Sequence, residues 1–335
     1  MKTHKTIERP HVDVILVNYN STDHLLQCME SLYNASRGLT IHVWVQDNAS
    51  RDNVGRVRVL FPAVNLIRND RNLGFARAIN RSLPQGSAPY ILILNPDTIV
   101  APGFFEPILE YMNTHGEVGM TGPRILDTDK TVQGSARSFP TVLTALFGRR
   151  SILTRFFPDN PITRENILTS NSDGFTPMTV DWVSGACMLV RRETVAHVGP
   201  MDARFFMYWE DADWCRRMWE SGWKVVYFPR SSVVHFAGVS SNKNIFRSVL
   251  EFHKSIYRLF QKHARSPHSF LRPFIFWGLL YRFLFVIFSQ GASILFHRLL
   301  HFSHVGKEAT SSPDGRIKLF RFIARLNIGG PSIHV

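Results

Sequence analysis

Carboxylates stand at two places in the sequence where they could hold a metal ion or remove a proton. Asp97 follows the apolar run Ile91–Leu94, which is short and partly β-branched and therefore predicts a strand buried on both faces. Asn95-Pro96 ends this strand, because proline cannot donate to a ladder. Ligands bind at the carboxyl edge of open α/β sheets. A carboxylate at that edge can hold a divalent cation, and the cation can in turn bind a diphosphate. The segment Asn95–Thr98 is also typical of an ordinary turn.

A second group of acids begins a predicted helix in the aromatic stretch Phe205–Arg217. Glu210, Asp211 and Asp213 lie in its first turn, and Ser221-Gly222 ends it. The backbone dipole alone favours acids there by roughly 0.3–1 kcal/mol each, so a structural role accounts for some of them. Three acids flanked by aromatics exceed what a dipole needs. Because an aromatic surround raises the pKa of a carboxylate toward the range of a general base, this stretch is a second candidate site.

Alternating strands and helices in the first half would bring polar turns together. Strands are predicted over Val12–Val17, Ile41–Val45, Val64–Ile67 and Ile91–Leu94, with helices over Asp23–Asn34 and from Asn72 onward. Ser21 or Thr22 is expected to cap the first helix. The alternation implies parallel pairing with right-handed crossovers. Since the carboxyl ends of parallel strands share one edge, the turns Asn18–Ser21, Asp47–Ser50 and Asn95–Thr98 should converge on one cleft.

Together the three turns are typical of a nucleotide pocket, although each alone would be an ordinary loop. Asp47 could accept a hydrogen bond from a base N–H. Gly74 would let backbone approach a phosphate closely, and Arg77 could pair with that phosphate. The sequence has neither a G-x-G-x-x-G fingerprint after a strand nor a P-loop, which argues against the common dinucleotide and triphosphate motifs.

The second half continues the α/β pattern around one irregular segment. A helix is predicted over Pro102–His115, and strands over Gly119–Arg124, Cys187–Val190, Val225–Phe228 and Ser232–His235. Residues Arg137–Thr179 are rich in Pro, Ser, Asn and Arg and contain no long periodic run. We therefore predict an extended insertion over 137–179 that could form a lid over the site.

Composition and charge narrow the class of protein. The chain has 335 residues, 44% of them hydrophobic, which fits a folded protein with a sizeable core rather than a disordered or polytopic one. Three cysteines without metal-ligand spacing fit a reducing compartment, and Met1–Pro10 lacks the apolar core of a signal peptide. The formal net charge is +13. From Lys243 onward fourteen basic residues face three acidic ones, an excess of eleven that predicts an anionic partner, lipid or nucleic acid.

The C-terminal third favours lipid over nucleic acid, because its basic residues alternate with long apolar runs. Asn244–Ala264 has a helical pattern, and Pro273–Phe288 is the most apolar part of the chain. Arg282 lies midway along that run, and a central arginine costs roughly 2.5–3.5 kcal/mol on insertion scales. The apolar area suits an interfacial helix, and each basic residue near anionic lipid contributes about 1 kcal/mol. We expect residues 242–335 to lie on a membrane without crossing it, although a span over 273–296 stays open.

Four ordered motifs resemble those of family 2 glycosyltransferases. They are Val17-Asn-Tyr-Asn20, Asp47-Asn-Ala-Ser50, Asn72-Leu-Gly-Phe-Ala76 and Leu94-Asn-Pro-Asp97. The resemblance covers about Val12 to Ser241 and implies the GT-A fold, a Rossmann-like α/β domain over residues 11–241 that binds a nucleotide sugar on a mostly parallel sheet. The family's acidic motif is usually Asp-x-Asp. Here Asn95 replaces the first acid, so that position can accept through its amide oxygen but brings no charge.

The resemblance also implies the donor side of the site. The nucleotide sugar would be bound by Asn18, Asn20, Asp47, Gly74, Arg77, Asn95 and Asp97. A divalent metal, Mg²⁺ or Mn²⁺, would be held by Asp97 and by His235, which lies 24 positions after Asp211, as the resembling enzymes place a histidine that completes the metal site or touches diphosphate.

The acceptor side follows from the family's Glu-Asp motif, whose second acid removes the proton of the acceptor hydroxyl. That role carries over to Asp211, with Glu210 as its acceptor-binding or structural partner. Trp182 and Asp213 are expected beside the acceptor, since an indole face suits a sugar ring. Taken without the resemblance, a tryptophan in this position is more often part of a core.

The expected activity is inverting transfer of a sugar to a hydroxyl of a lipid-linked saccharide. Within the family, the Asn95-Pro-Asp97 form, the Trp209-Glu-Asp-Ala-Asp213 stretch and the basic apolar tail most resemble bacterial rhamnosyltransferases that use dTDP-rhamnose for O-antigen or cell-wall polysaccharide. Such an enzyme would lie on the cytoplasmic face of the cell membrane, as a peripheral or monotopic protein. Two rivals stay open: a nucleotidyltransferase, which should show a basic glycine-rich triphosphate loop, and a non-catalytic binding protein with a basic tail.

Overall fold

The central apolar runs of the first half form strands that are buried along their whole length. The computed structural model of the chain describes residues 11–141, 166–236, 245–263 and 272–288. Strands β1 (Val12–Asn18) and β4 (Tyr90–Leu94) are buried at every position, because helices cover both faces of the sheet. The predictions for these two strands are confirmed, and each strand is one residue longer than predicted.

Strands and helices alternate through the first half, as the sequence predicts. The other strands of the described chain are β2 (Ile41–Asp47), β3 (Asn65–Arg68), β5 (Thr98–Val100), β6 (Val118–Leu126), β7 (Ala136–Arg137), β8 (Met178–Thr179), β9 (Trp182–Val183), β10 (Cys187–Arg191) and β11 (Lys224–His235). The helices are α1 (Thr22–Ala35), α2 (Arg56–Leu60), α3 (Phe75–Ser82), α4 (Phe105–Thr114), α5 (Arg192–Val198), α6 (Glu210–Glu220), α7 (Ile245–His263) and α8 (272–288).

The main sheet is mixed, with the strand order β3-β2-β1-β4-β10-β6-β11-β5. The first four positions in this order are parallel, which confirms the pairing predicted for the first half. β10 is antiparallel to both of its neighbours, β4 and β6. β10 therefore begins beside the carboxyl end of β4, so the segment that precedes it lies at the predicted cleft.

The last two predicted strands are one strand. β11 pairs with β6 on both sides of a break in register between Phe228 and Ser232. Pro229 lies in this break, and a proline disturbs a ladder because it has no N–H. Beyond the break β11 also pairs antiparallel with β5, which places His235 opposite Thr98.

The core lies on both faces of this sheet, because successive strand residues point to opposite sides. Leu16 and Leu92 pack on one face with the apolar sides of α1 and α4. Ile15 and Ile93 pack on the other face with α3 and α6. The second of these two clusters packs against α6 and so fixes the position of the acidic residues at the start of that helix.

The ends of the predicted insertion are part of the fold. β7 pairs with β9 in a separate two-stranded sheet, Arg137 also bridges to Ile167, and β8 pairs with β11. The lid predicted over 137–179 falls largely on residues 142–165, which lie outside the described residues.

The C-terminal helices pack on the α/β domain. Ser255 donates to the carbonyl of Met207 at 2.9 Å, and the side chain of Leu259 belongs to the core beside α6. These contacts cross the boundary expected at residues 241–242. Among the helices of the described ranges, none combines the length and apolar character that a bilayer span requires, and residues 289–296 of the expected segment lie outside those ranges.

Candidate active site

Asp97 and His235 meet at the edge of the sheet. The pairing of β5 with β11 brings His235 Nε2 to 3.3 Å from Asp97 Oδ1, and their side chains are only 13% and 8% exposed. The amide of Asn95 lies 3.4 Å from the same ring nitrogen. The three predicted residues are thus gathered at one point, although His235 is 138 positions from Asp97 in the sequence.

Gln133 orients the histidine, and sequence reasoning missed it. Its side-chain oxygen lies 3.2 Å from His235 Nδ1, and its amide nitrogen donates to the His235 carbonyl at 3.2 Å and to Asp127 Oδ1 at 2.7 Å. A proton on Nδ1 is thereby directed to Gln133, which leaves the Nε2 lone pair facing Asp97. No motif marks Gln133, because it reaches the site only through the pairing around β6.

The donor atoms at this point fit a hard divalent cation that shares its shell with a ligand. Within the described residues, no group of three or more His, Cys, Asp or Glu is arranged to hold a metal by itself. One carboxylate and one imidazole suit Mg²⁺ or Mn²⁺, which commonly bind through one or two carboxylates and take substrate phosphates and water for the rest. The residues therefore fit a metal–diphosphate site.

Glu210 and Asp211 form an acid pair at the N-terminus of α6. Asp211 Oδ2 accepts from the Gly185 N–H at 2.8 Å, and Oδ1 accepts from the Ala212 N–H at 2.8 Å. Burial raises the pKa of Asp211, while these two N–H donors oppose the rise. Burial raises the pKa of Glu210 well above its ordinary value, and the neighbouring charge of Asp211 raises it further.

The acid pair has two marks of a functional site. Glu210 Oε2 is buried and lacks a hydrogen-bond partner, which is costly unless a ligand supplies one. The two preceding residues, Tyr208 and Trp209, have φ values of 70° and 68°, a left-handed backbone that bulky residues seldom adopt and that clusters at active sites.

The metal and base candidates border the same cleft. The Asn95 N–H donates to the Ala186 carbonyl at 2.9 Å, and the neighbouring Gly185 N–H binds Asp211. The backbone of residues 185–186 therefore connects the segment that carries Asp97 to the acid pair. The Asn95–Thr98 turn, one of the three turns expected at the cleft, thus lies beside the acid pair.

The polar turns after β1 and β2 form a buried hydrogen-bond network. Asn18 Nδ2 donates to Asp47 Oδ1 at 2.9 Å and to Ser50 Oγ at 3.1 Å, and the Ser50 N–H donates to Asp47 Oδ2 at 3.2 Å. Asn20 lies at the outer rim of this network, where its N–H donates to Ser50 Oγ at 2.8 Å. Asn18 and Asp47 have no exposed surface. We expected Asp47 to meet a base directly, but its oxygens are engaged in holding the turn.

The first helix is capped from outside its own turn. Ser21 Oγ donates to Asn18 Oδ1 at 3.0 Å instead of capping, and the Thr22 N–H donates to Asp52 Oδ2 at 2.8 Å. A carboxylate thirty residues away thus serves as the cap that we expected from Ser21 or Thr22.

Gly74 and Arg77 have surroundings that differ from those expected. A Cβ on Gly74 would lie 2.3 Å from the Phe206 carbonyl oxygen, and its φ is +83°. The close approach that requires glycine is therefore made by protein backbone rather than by a phosphate. Arg77 Nε donates to the Ala203 carbonyl at 3.0 Å, and its side chain lines a cavity with Arg71 and Arg204.

The two residues expected at the acceptor are buried in other contacts. Trp182 is 7% exposed; its ring packs on Trp209 at 5.8 Å and lies under Arg137 at 5.3 Å, so the core interpretation of Trp182 fits best. Asp213 is fully buried and binds Lys262 at 2.7 Å and His263 at 2.8 Å. Its charge is thus used to join α6 to α7, because those two helices enclose it.

The mixed α/β sheet, with a histidine–aspartate pair and an acid pair at one edge, has the GT-A-like fold of known glycosyltransferases. The fold is shared with a mannosyltransferase from Pyrobaculum calidifontis solved with GDP-Man and Mn²⁺, at a TM-score of 0.53 and 14% identity over 86% of this chain and 81% of that one. It is also shared with GalNAc-T7 solved with UDP, GalNAc and Mn²⁺, at a TM-score of 0.52 and 16% identity. That alignment covers 84% of this chain and 58% of the GalNAc-T7 chain.

Sequence comparison identifies the family. Residues 13–199 match Glycosyl transferase family 2. The chain is 32% identical over 256 residues to an N-acetylglucosaminyl-diphospho-decaprenol L-rhamnosyltransferase of Mycobacterium tuberculosis, covering 73% of this chain and 82% of the relative. It is 25% identical to rhamnosyltransferase WbbL of Escherichia coli over 78% of this chain and 97% of that protein. The chain therefore belongs to glycosyl transferase family 2, as its motifs indicate.

Proposed function

We propose that this glycosyltransferase moves a sugar from a nucleoside diphosphate to a hydroxyl of a lipid-linked saccharide, with inversion at the anomeric carbon. The observation that carries the proposal is that two adjacent residues bind the two candidate groups: the Gly185 N–H binds Asp211, and the Ala186 carbonyl binds the N–H of Asn95. A base and a diphosphate-binding group on two sides of one cleft suit a single in-line displacement. A single displacement inverts the configuration.

In this proposal Asp211 is the general base. Its raised pKa brings the carboxylate nearer to that of a useful base at neutral pH, and the N–H groups of Gly185 and Ala212 hold it in place. Glu210 offers Oε2 to the acceptor as a hydrogen-bonding partner. Asp97 and His235 would hold a divalent metal, which when bound neutralises charge on the departing diphosphate.

The donor side of the proposal rests on the same edge of the sheet. Asn95 and Asn20 lie at the rim, while Asn18 and Asp47 act by fixing the turn that shapes the base pocket. The relatives named as rhamnosyltransferases, and a dTDP-rhamnosyl transferase of Shigella flexneri at 23% identity, support dTDP-rhamnose as the donor. The decaprenol-linked acceptor in the name of the mycobacterial relative supports a lipid-linked acceptor in cell-wall or O-antigen synthesis.

We also propose that α8 lies on the membrane. Its outward positions Phe274, Trp277, Tyr281, Leu284 and Phe288 recur at helical spacing and are 56–78% exposed. Such a stripe suits the interface of a bilayer. Placement on the cytoplasmic face would bring the enzyme to both a soluble nucleotide sugar and a lipid-linked acceptor. The catalytic unit would then extend through α7, whose contacts join it to α6.

The test is an assay of purified protein with Mg²⁺ or Mn²⁺ against dTDP-, UDP- and GDP-sugars and a prenyl-diphosphate saccharide. We expect transfer from dTDP-rhamnose, loss of transfer with a chelator, and a product whose anomeric configuration by NMR is opposite to that of the donor. Tighter binding of GDP than of dTDP would refute the donor assignment. Retention of configuration would refute the single displacement.

A further inference from the structure

A cavity beside the turn that precedes Gly74 is lined by three arginines. Arg71, Arg77 and Arg204 line a space of about 330 Å³ together with Asn72, Leu73, Ala203 and Phe206. No carboxylate is among these lining residues. Three guanidinium groups around one polar space form a site for an anion with several oxygens, such as a diphosphate, because arginine pairs with phosphate through paired N–H donors.

The positive charge persists after the neighbouring ion pairs are considered. Asp202 binds Arg204 at 2.6 Å and Lys262 at 2.8 Å, so this carboxylate is shared between two cations. Arg204 holds the pKa of Asp202 below its ordinary value, which keeps it ionised. Arg71 and Arg77 are both exposed. The basic cavity therefore carries an excess of positive charge at its mouth.

The cavity lies next to the acid pair. Phe206 lines it, and the Phe206 carbonyl accepts from the Phe75 N–H at 2.8 Å. The ring of Phe75 in turn reaches Gly185, whose N–H binds Asp211. A ligand with its phosphates among the arginines would thus lie one aromatic side chain, Phe75, away from the residue that binds the proposed base.

An apolar surface borders the same cavity. Arg247 of α7 lies 4.7 Å above the Phe206 ring, beside Phe246 and Leu250, which are 56% and 37% exposed. α8 packs along α7 nearby, where His253 contacts Phe283 at 5.6 Å. A lipid diphosphate has this order of groups: a sugar, two phosphates and an apolar chain.

We propose that the cavity lined by Arg71, Arg77 and Arg204 binds the diphosphate of the lipid-linked acceptor. The inference rests on the proposed acceptor and adds the chemistry by which the acceptor is recognised. It moves Arg77 from the donor's phosphates, where we expected it, to those of the acceptor. The reacting sugar would then reach Asp211 while the chain leaves over Phe246 and Leu250.

Two acceptors that differ only in the diphosphate test the proposal. One is N-acetylglucosamine joined to a farnesyl chain through a diphosphate, and the other is an alkyl glycoside of similar length without phosphate, both in neutral detergent. We expect the wild-type enzyme to favour the first in kcat/KM. Arg71→Gln should lower that preference by about tenfold or more through the KM of the acceptor, as expected for one charge-assisted hydrogen bond.

Arg37→Gln is the matched control, because Arg37 is an exposed arginine after α1 whose guanidinium donates to the side chain of Asn34 at 3.0 Å. It should leave the preference unchanged. If Arg71→Gln raises the KM of the donor rather than that of the acceptor, the arginines bind the nucleotide and the proposal is overturned. Weaker binding of Arg71→Gln to phosphatidylglycerol vesicles, with the acceptor preference intact, would assign them to lipid headgroups and also overturn it.

The outcomes separate this inference from the proposed function. If the wild-type enzyme uses the alkyl glycoside as well as the diphosphate, the diphosphate site is wrong while a lipid-linked acceptor stands. If it transfers to neither, the proposed acceptor is wrong and the inference falls with it.

Discussion

At the scale of single residues, Glu210 and Asp211 show how one sequence motif divides into two chemical roles. The two carboxyl groups are adjacent, yet Asp211 receives two backbone N–H donors and Glu210 Oε2 receives none. Hydrogen bonds to a carboxylate favour its ionised form, and burial without them favours the neutral form. These environments support the proposed assignment of Asp211 as the base and of Glu210 as the group that a ligand would satisfy.

Glu210→Gln should stabilise the fold near neutral pH. The pKa of Glu210 is raised in the folded state, so its contribution to stability is complete below the unfolded pKa of about 4.5 and is lost as pH rises through the folded pKa. Glutamine does not ionise and avoids that loss. Thermal unfolding at pH 5 and pH 8 should show a larger gain in Tm for the variant at pH 8. A gain that is larger at pH 5 would contradict the raised pKa.

Gln133→Met should weaken metal binding without unfolding the protein. The side chain of Gln133 fixes the His235 ring from behind, and loss of such supporting hydrogen bonds typically lowers metal affinity by about 10–100-fold. Titration of Mn²⁺ followed by electron paramagnetic resonance measures this directly. Gln27→Met, at an exposed position of α1, is the control. Equal Mn²⁺ affinity for Gln133→Met and the wild type would remove Gln133 from the site.

At the scale of elements, the strands and their polar ends were predictable, whereas contacts between distant elements were not. The apolar runs predict β1 and β4 nearly to the residue, and the parallel pattern predicts that their ends converge. The environment of Asp213 depends on Lys262 and His263, about fifty positions later. Likewise, position 74 requires glycine because the Phe206 backbone approaches it closely, and not because a phosphate does. Local patterns contain no information about such partners.

The contacts of Asp213 on α6 with Lys262 and His263 on α7 lead to a prediction about the stability of the fold. Burial alone would raise the pKa of Asp213, but His263 and Lys262 hold it below its ordinary value. Asp213→Asn removes the buried carboxylate that binds Lys262 and His263, which leaves Asp202 as the close partner of Lys262, and should destabilise the fold by about 3 kcal/mol. Urea unfolding measures this free energy.

Asp23→Asn is the control for this variant. Asp23 pairs with Arg56 at the surface, and its side chain is 83% exposed, so we expect a loss of at most about 1 kcal/mol. Equal losses for the two variants would mean that the Asp213 network does not hold α7 on the domain.

At the scale of the whole molecule, α7 and α8 join the catalytic domain to an apolar outer face. α7 contributes Leu259 to the core beside α6, while α8 packs on α7 through Ile275 and Leu279. The face of α8 turned away from this contact presents aromatic side chains at positions where a soluble helix would present polar ones. The site and the proposed membrane face are thus fixed to one another.

Trp277→Glu should reduce binding to membranes. The indole is 65% exposed in the middle of the apolar stripe, and a carboxylate there would be both hard to bury and repelled by anionic lipid. Co-sedimentation with phosphatidylglycerol vesicles should fall for this variant. Phe175→Glu, at a residue 66% exposed on the α/β domain, should sediment as the wild type does. Equal sedimentation of both variants and the wild type would remove α8 from the interface.

The measurement that tests the account most directly is the single-turnover rate of Asp211→Asn with a saturating donor and acceptor. Asparagine keeps the shape of the side chain and cannot accept the proton of the acceptor hydroxyl. We predict that the rate of transfer falls by about 10²–10⁴-fold, the range of general-base catalysis, while donor affinity by calorimetry stays within twofold of the wild type. A variant that transfers at the normal rate would contradict the assignment of Asp211 as the base.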